Sequence, residues 1–144
     1  MKSLFLFIYC TLTLISCNTN KNISESDFAH LQDIWAITSL SQNGLAVEAD
    51  FSQGNRPVME LNITEMKMYG HDGCNDIFGP IKTLDSSSIS FGNIAGTKML
   101  CPNMTLPNAY IKALHQVKFY ERKELVLTFF DEQHKETLRF RKVD

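Results

Sequence analysis

Four side chains that can bind a metal or act in catalysis lie close together near the middle of the chain: His71, Asp72, Cys74 and Asp76. Structural zinc sites usually pair Cys or His residues at short spacing, and this segment has one Cys and no Cys-x-x-Cys pair. A solvated turn therefore explains the segment better than a metal site. We expect no bound metal and no other cofactor.

Cys74 is also a candidate nucleophile, because His71 and His115 offer a base. Such chemistry needs a free thiolate beside that base, and a disulfide at Cys74 would remove the thiolate. The sequence has no Gly-x-Ser-x-Gly elbow, phosphate-binding loop or dinucleotide fingerprint. We therefore expect no enzymatic activity. The alternative is a hydrolase-type enzyme that uses a reactive Cys74.

The N-terminus has the proportions of a signal peptide. An apolar run from Leu4 to Ile15 follows a short basic start, and it is shorter than the roughly 20 residues that span a bilayer. A buried first helix is the alternative. The run ends in Leu14-Ile15-Ser16-Cys17, which resembles the bacterial lipobox. That resemblance implies cleavage before Cys17, thioether lipidation of its sulfur and acylation, as with palmitate, of the new amino terminus.

The location follows from the residues around this site. Asn18 stands where Asp is commonly associated with inner-membrane retention, so we expect a lipid anchor in the outer membrane, facing the periplasm. Residues 1–16 are then a lipoprotein signal peptide, and the polar residues 17–27 are a flexible tether. Residues 28–144 are predicted to form one domain.

The remaining cysteines suggest one disulfide. Cys10 would leave with the signal peptide and Cys17 would carry the lipid, which leaves Cys74 and Cys101 in an oxidising compartment. A bridge between them would close a loop of roughly 28 residues and stabilise the fold by about 3 to 4 kcal/mol. Two independent buried thiols remain the alternative, because the sequence does not give the distance between the two Cα atoms.

Alternation of apolar and polar residues predicts half-buried antiparallel strands. The core faces are predicted to comprise Ile34, Trp35, Ile37 and Leu40; Met59, Leu61 and Ile63; Met66 and Met68; Leu125, Leu127 and Phe129; and Leu138 and Phe140. Two further strands are expected at 77–84 and 89–94. Turns are predicted at Asn43-Gly44, Asp85–Ser88 and Glu132–Lys135.

One segment has helical spacing instead. Its apolar stripe consists of Leu106, Tyr110, Ala113, Leu114 and Val117. Thr105 is the predicted N-cap, and Pro107 falls in the first turn, where its missing N–H is harmless. Strands, one helix and two final strands predict a small α+β domain with a curved antiparallel sheet.

Two blocks of the sequence are together similar to a known family. The segment from Gly70 to Gly79, with its Gly73-Cys74-Asn75 triplet, resembles the central motif of the META domain (HslJ-like) family. A second block matches in order through Phe91-Gly92, Thr97-Lys98-Met99 and Cys101-Pro102, and Trp35 matches an early Trp of the family. The resemblance covers roughly Leu31 to Phe140. Asp33 departs from it, since a Gly is often found there.

The resemblance implies a partly open β-barrel-like fold with one helix and no established catalytic activity. It also implies an envelope role that is linked in some members to stress or antibiotic tolerance. Other members look like pilotin-type lipoproteins that bind lipid or the tail of a partner. We therefore expect a non-catalytic binding, assembly or stress-tolerance module.

Composition limits the partners. Fourteen basic and sixteen acidic side chains give a net charge of −2, without the basic bias of nucleic-acid-binding proteins. The expected partners are the membrane, through the anchor, and another envelope protein or an apolar ligand. The chain is expected to be a monomer.

The basic cluster Arg139, Arg141 and Lys142 is predicted to be a solvated face. The methionines are predicted to fill the core rather than to line a cavity.

Overall fold

The computed structural model of the chain describes residues 28–42, 45–46 and 56–143. The predicted signal peptide, Cys17, the tether and the Asn43-Gly44 turn lie outside these residues. The described strands are β1 (Ile34–Gln42), β2 (Leu45–Ala46), β3 (Val58–Asn62), β4 (Lys67–His71), β5 (Asp76–Leu84), β6 (Ile89–Phe91), β7 (Ala95–Gly96), β8 (Phe119–Lys123), β9 (Val126–Phe130) and β10 (Glu136–Val143). A 3₁₀ helix (Ala29–Leu31) precedes β1, and the α-helix α1 (Thr105–Gln116) precedes β8.

The described strands form one antiparallel sheet that curves into a barrel. Its main path is β6-β5-β4-β3-β1-β10-β9-β8, with β2 on β1 and β7 on β5. The ends of this path meet over a short stretch: the Ile89 N–H donates to the Lys118 carbonyl, and the Tyr120 N–H donates to the Ser87 carbonyl. The barrel is therefore nearly closed, with one unsealed seam between β6 and β8. The predicted α+β class and partly open barrel are confirmed.

The core lies between the sheet and α1. Tyr110 and Leu114 of the helix are fully buried, and the Tyr110 ring packs edge-on against Phe140 at 6.2 Å between centroids. Phe140 in turn packs edge-on against Phe129. At the start of the fold, the buried Trp35 Nε1 donates a 3.0 Å hydrogen bond to the Leu31 carbonyl, which fixes the 3₁₀ helix against the barrel.

Three residues predicted to face the core are exposed. Ile34 is the first residue of β1 and is 45% exposed. Met66 adopts a φ of 52° in the turn between β3 and β4, and its N–H donates to the Ile63 carbonyl. Leu125 lies in the turn between β8 and β9, next to Glu124, whose φ is also positive. The predictions for Met66 and Leu125 were wrong because the alternation of residue types runs on past the ends of the strands. Ile34 is exposed because adjacent residues of a strand face opposite sides and Trp35 faces the core.

Two predictions around the helix were also wrong. Met104, not Thr105, precedes the first helical residue, and it makes no side-chain capping bond. The side chain of Asn103 instead accepts a 2.9 Å hydrogen bond from the Thr105 N–H. Three strands rather than two follow α1, because β8 was missed. Only Tyr120 is buried in that strand, so its sequence lacks a clear apolar alternation.

The basic cluster is only partly a solvated face. Arg139 and Arg141 are exposed as expected. Lys142 is half-buried, and its Nζ lies 2.7 Å from Oδ2 of Asp33. Asp33, the position that departs from the family pattern, also accepts a hydrogen bond from the Ile34 N–H, so its carboxylate organises the start of β1.

Candidate functional site

The centre of the site is the turn that joins β4 to β5. The buried carboxylate of Asp72 accepts hydrogen bonds from the N–H groups of Cys74, at 2.8 Å, and Asn75, at 2.6 Å. Nδ1 of His71 accepts a bond from the Gly73 N–H. Gly73 has a φ of 101°, which favours glycine. Of the four side chains that suggested a metal site, those of His71 and Asp72 are thus bound to the main chain of their own turn, and that of Asp76 is exposed.

Asn75 joins this turn to the second sequence block. Its Oδ1 accepts hydrogen bonds from the Met99 N–H, at 2.7 Å, and from the Thr97 hydroxyl, at 2.8 Å. Its Nδ2 donates to the Met99 carbonyl at 3.4 Å. Because Asn75 is only 6% exposed, these bonds form where water competes little for them. One side chain therefore fixes both backbone groups of Met99.

The predicted disulfide is confirmed in this structure. Cys74 and Cys101 are bonded, with their Cα atoms 6.0 Å apart. The bridge and the Asn75 amide tie the same two blocks together from adjacent positions. Since the Cys74 sulfur is part of the bridge and almost fully buried, it carries no thiolate for the reactive-cysteine mechanism.

The rest of the sequence motif is divided between the core and the surface. Gly79 lies in β5 beside Asn93 and Ile94, away from the turn. Lys98 and Pro102 are exposed, and Met99 directs an apolar side chain to solvent, 54% exposed. Leu100 does so even more, at 93%. Leu100 is not among the residues predicted for the site, although its place between Met99 and Cys101 is an apolar signal in the sequence.

The described residues contain neither a group of metal ligands nor a membrane-spanning helix. No group of three or more His, Cys, Asp or Glu residues in residues 28–42, 45–46 and 56–143 is placed to hold a metal ion. The same residues include no helix that is long and apolar enough to cross a membrane.

Tyr110 of α1 has a buried hydroxyl with no hydrogen-bond partner among the described residues. Its burial and, to a smaller degree, the negative charge of Asp72 raise the pKa of the phenol well above the ordinary value. At neutral pH the group is therefore a neutral phenol and contributes no charge to the site.

An apolar groove of about 530 Å³ lies on the outer face of β4 and β5. Tyr69 and Phe78 are direct cross-strand partners on this face. The rest of the lining comes from Lys67, Met68, Gly79, Pro80 and Asn93. Phe78 is 55% exposed. The groove is separate from the Asp72–Asn75 turn, and none of the polar motif side chains lines it.

Comparisons with known proteins agree with this architecture. The META domain family matches residues 13–144. An NMR structure of a protein from Burkholderia xenovorans is similar, with a TM-score of 0.65 and 21% identity over 83% of this chain and 88% of that one. A crystal structure of a DUF4847 family protein from Bacteroides vulgatus has a TM-score of 0.58 and 17% identity, over 79% and 96% of the two chains. At such identities the likeness shows the fold alone. No curated protein matches the chain significantly.

Proposed function

We propose, from the premise that this chain belongs to the META domain family, that it is a binding or assembly module anchored by lipid in the bacterial envelope. Family membership supports a non-catalytic module of the envelope type. The anchor at Cys17, the outer-membrane location facing the periplasm and a role in binding, assembly or stress tolerance are the finer parts of the proposal.

The observation that carries this proposal is the use of the motif's polar groups. The Asp72 carboxylate is engaged with the backbone of its own turn, and the Asn75 amide and the Cys74 sulfur hold that turn to the segment of Met99 and Cys101. A reaction centre would need some of these groups free to meet a substrate. The residues that this end of the barrel exposes to solvent include Lys98, Met99 and Leu100. That set is suited to contact rather than to catalysis.

The alternative, a hydrolase that uses Cys74, is tested by counting thiols. The non-reduced protein, produced by export and then denatured, is treated with a thiol reagent. We expect no reaction at Cys74 or Cys101. A free thiol at Cys74 would favour the enzyme over the binding module.

The anchor is tested by metabolic labelling with radioactive palmitate and by membrane fractionation. Wild-type protein should be labelled and should sediment with membranes, whereas Cys17→Ala should be unlabelled and should retain its signal peptide. Cys10→Ser is the matched control, because that cysteine is predicted to leave with the signal. Equal labelling of wild type and Cys17→Ala would remove the anchor from the proposal.

A further inference from the structure

The segment Lys98–Pro102, here called the apical loop, presents two adjacent apolar side chains to solvent. Leu100 is 93% exposed and Met99 is 54% exposed. Isolated exposed leucines are common on protein surfaces. A neighbouring pair at the tip of a loop, with the cationic Lys98 beside it, is a candidate anchor for an interface.

The apical loop is held at both ends. The Asn75 amide binds both the N–H and the carbonyl of Met99, and Cys101 is bridged to Cys74. Leu100 therefore projects from backbone that is fixed on either side of it. A pre-ordered loop loses little conformational entropy when it binds, which favours affinity.

The apical loop lies at the end of the barrel opposite to the point where the chain enters it. The loop packs on the Asp72–Asn75 turn, at one end of β4. The chain enters near the other end, where the Asp33 carbonyl accepts a hydrogen bond from the Leu61 N–H, and Leu61 pairs with Met68. The proposed tether joins the domain at this second end. The apical loop therefore lies at the end of the domain farther from the proposed point of attachment.

We infer that the apical loop docks into an apolar pocket on another envelope protein, with a carboxylate at the rim of that pocket facing Lys98. The inference rests on the proposed lipid anchor, because the anchor would attach the domain at the end farther from the loop. Met99 and Leu100 would fill the pocket, and Lys98 would fix the orientation and exclude pockets with a basic rim.

Site-specific photocrosslinking in intact cells of the producing bacterium tests this inference. The photoreactive residue p-benzoylphenylalanine replaces Leu100 in the full-length protein. The matched control carries it at Leu125, an exposed leucine in the β8–β9 turn. We expect one discrete adduct with a different protein at position 100 and none at position 125. The adduct should fall at least tenfold with Lys98→Glu and persist with Lys98→Arg.

Other outcomes would overturn the inference. These are no adduct at position 100, an adduct with a second copy of the chain, an adduct with lipid, or an adduct unchanged by Lys98→Glu.

A second measurement uses purified protein and vesicles of phosphatidylethanolamine and phosphatidylglycerol. Leu100→Asp should not change co-sedimentation, and a loss would assign the loop to the bilayer. Palmitate labelling of wild type in the same cells reports the anchor independently, so its failure is distinguishable from failure of the docking.

Discussion

Asn75 shows how one amide can support a surface that it does not itself form. Its two polar atoms engage both backbone groups of Met99 and the hydroxyl of Thr97. An alanine at this position would remove the part-buried bonds of Asn75 to Met99 and Thr97, and loss of a partner for a group shielded from water costs about 1 to 3 kcal/mol. We expect Asn75→Ala to lower the free energy of unfolding by that amount, measured by urea denaturation. Asn93→Ala, at an exposed position, is the control and should change it by less than about 0.5 kcal/mol. Equal effects of the two variants would contradict the role assigned to Asn75.

Tyr110 and Tyr120 differ in whether their hydroxyl groups have a hydrogen-bond partner. The Tyr120 hydroxyl donates a 2.9 Å hydrogen bond to the Asp85 carbonyl, whereas that of Tyr110 is buried with no partner among the described residues. Tyr120→Phe should therefore lower the free energy of unfolding by about 1 kcal/mol, and Tyr110→Phe should leave it unchanged or raise it. Thermal or urea unfolding at pH 7 measures both. A clear loss in Tyr110→Phe would indicate that its hydroxyl is hydrogen-bonded in solution.

The pH dependence gives the Tyr110 prediction a second readout. The pKa of Tyr110 is raised in the fold by burial and by the charge of Asp72. The folded state therefore holds the phenolic proton after the unfolded chain has released it. This contribution is complete below the ordinary pKa of 10.0 and is lost as the pH rises above it, by about 1.4 kcal/mol for each further unit. Tyr110→Phe should lose less stability than wild type between pH 9 and pH 10.5. Parallel losses would contradict the assignment.

At the scale of elements, α1 is joined to the sheet through one apolar face. Leu114 is fully buried, whereas Lys112 on the same helix is exposed. Leu114→Ala should lower the free energy of unfolding by about 2 to 5 kcal/mol, because it removes buried methyl groups and leaves a cavity. Lys112→Ala should change it by less than about 0.5 kcal/mol. A comparably small effect of Leu114→Ala would show that the helix does not pack on the barrel in solution.

The elements also show which features the sequence could predict. The helix was predictable because its apolar stripe is regular, and the turns 85–88 and 132–135 were predictable because polar runs separate two apolar strands. Strand β8 was not, since Tyr120 is its only buried residue. It pairs locally with β9, but its bond to the Ser87 carbonyl across the seam joins residues far apart in sequence. Such long-range pairing leaves no local pattern.

The candidate site was predicted in its residues but not in its arrangement. Cysteine pairing was accessible because only two cysteines remain after the predicted signal peptide and the predicted lipid site are set aside. The contacts of Asn75 with Met99 were not, because residue spacing does not reveal which backbone groups a buried amide will meet. Asp72 was considered as a metal ligand, and its hydrogen bonds to the turn became visible only in three dimensions.

At the scale of the whole molecule, the barrel has two different ends. The 3₁₀ helix and Trp35 close the end where the chain enters. The opposite end is closed by the Asp72–Asn75 turn and the apical loop. Strand β7, which leads into that loop, has only two residues. Its short ladder with β5 gives little support, so the position of the apical loop depends on Asn75 and the disulfide.

The disulfide is therefore expected to matter for stability and for the order of the apical loop. The double variant Cys74→Ser, Cys101→Ser should lower the free energy of unfolding by about 2 to 4 kcal/mol. The bridge joins cysteines with a sequence separation of 27, and it therefore restricts the conformations of the unfolded chain between them. Each single variant should lose about as much as the double variant, since either change breaks the same bond.

Limited proteolysis tests the order of the apical loop. The double variant should be cut at Lys98 faster than wild type. Cleavage at Lys82, an exposed residue of β5, should increase only as much as global unfolding does. Reduction of the wild-type protein with dithiothreitol is the control and should reproduce the double variant. Additive losses in the single variants, or two reactive thiols in the non-reduced denatured protein, would contradict a bridge between these cysteines in solution.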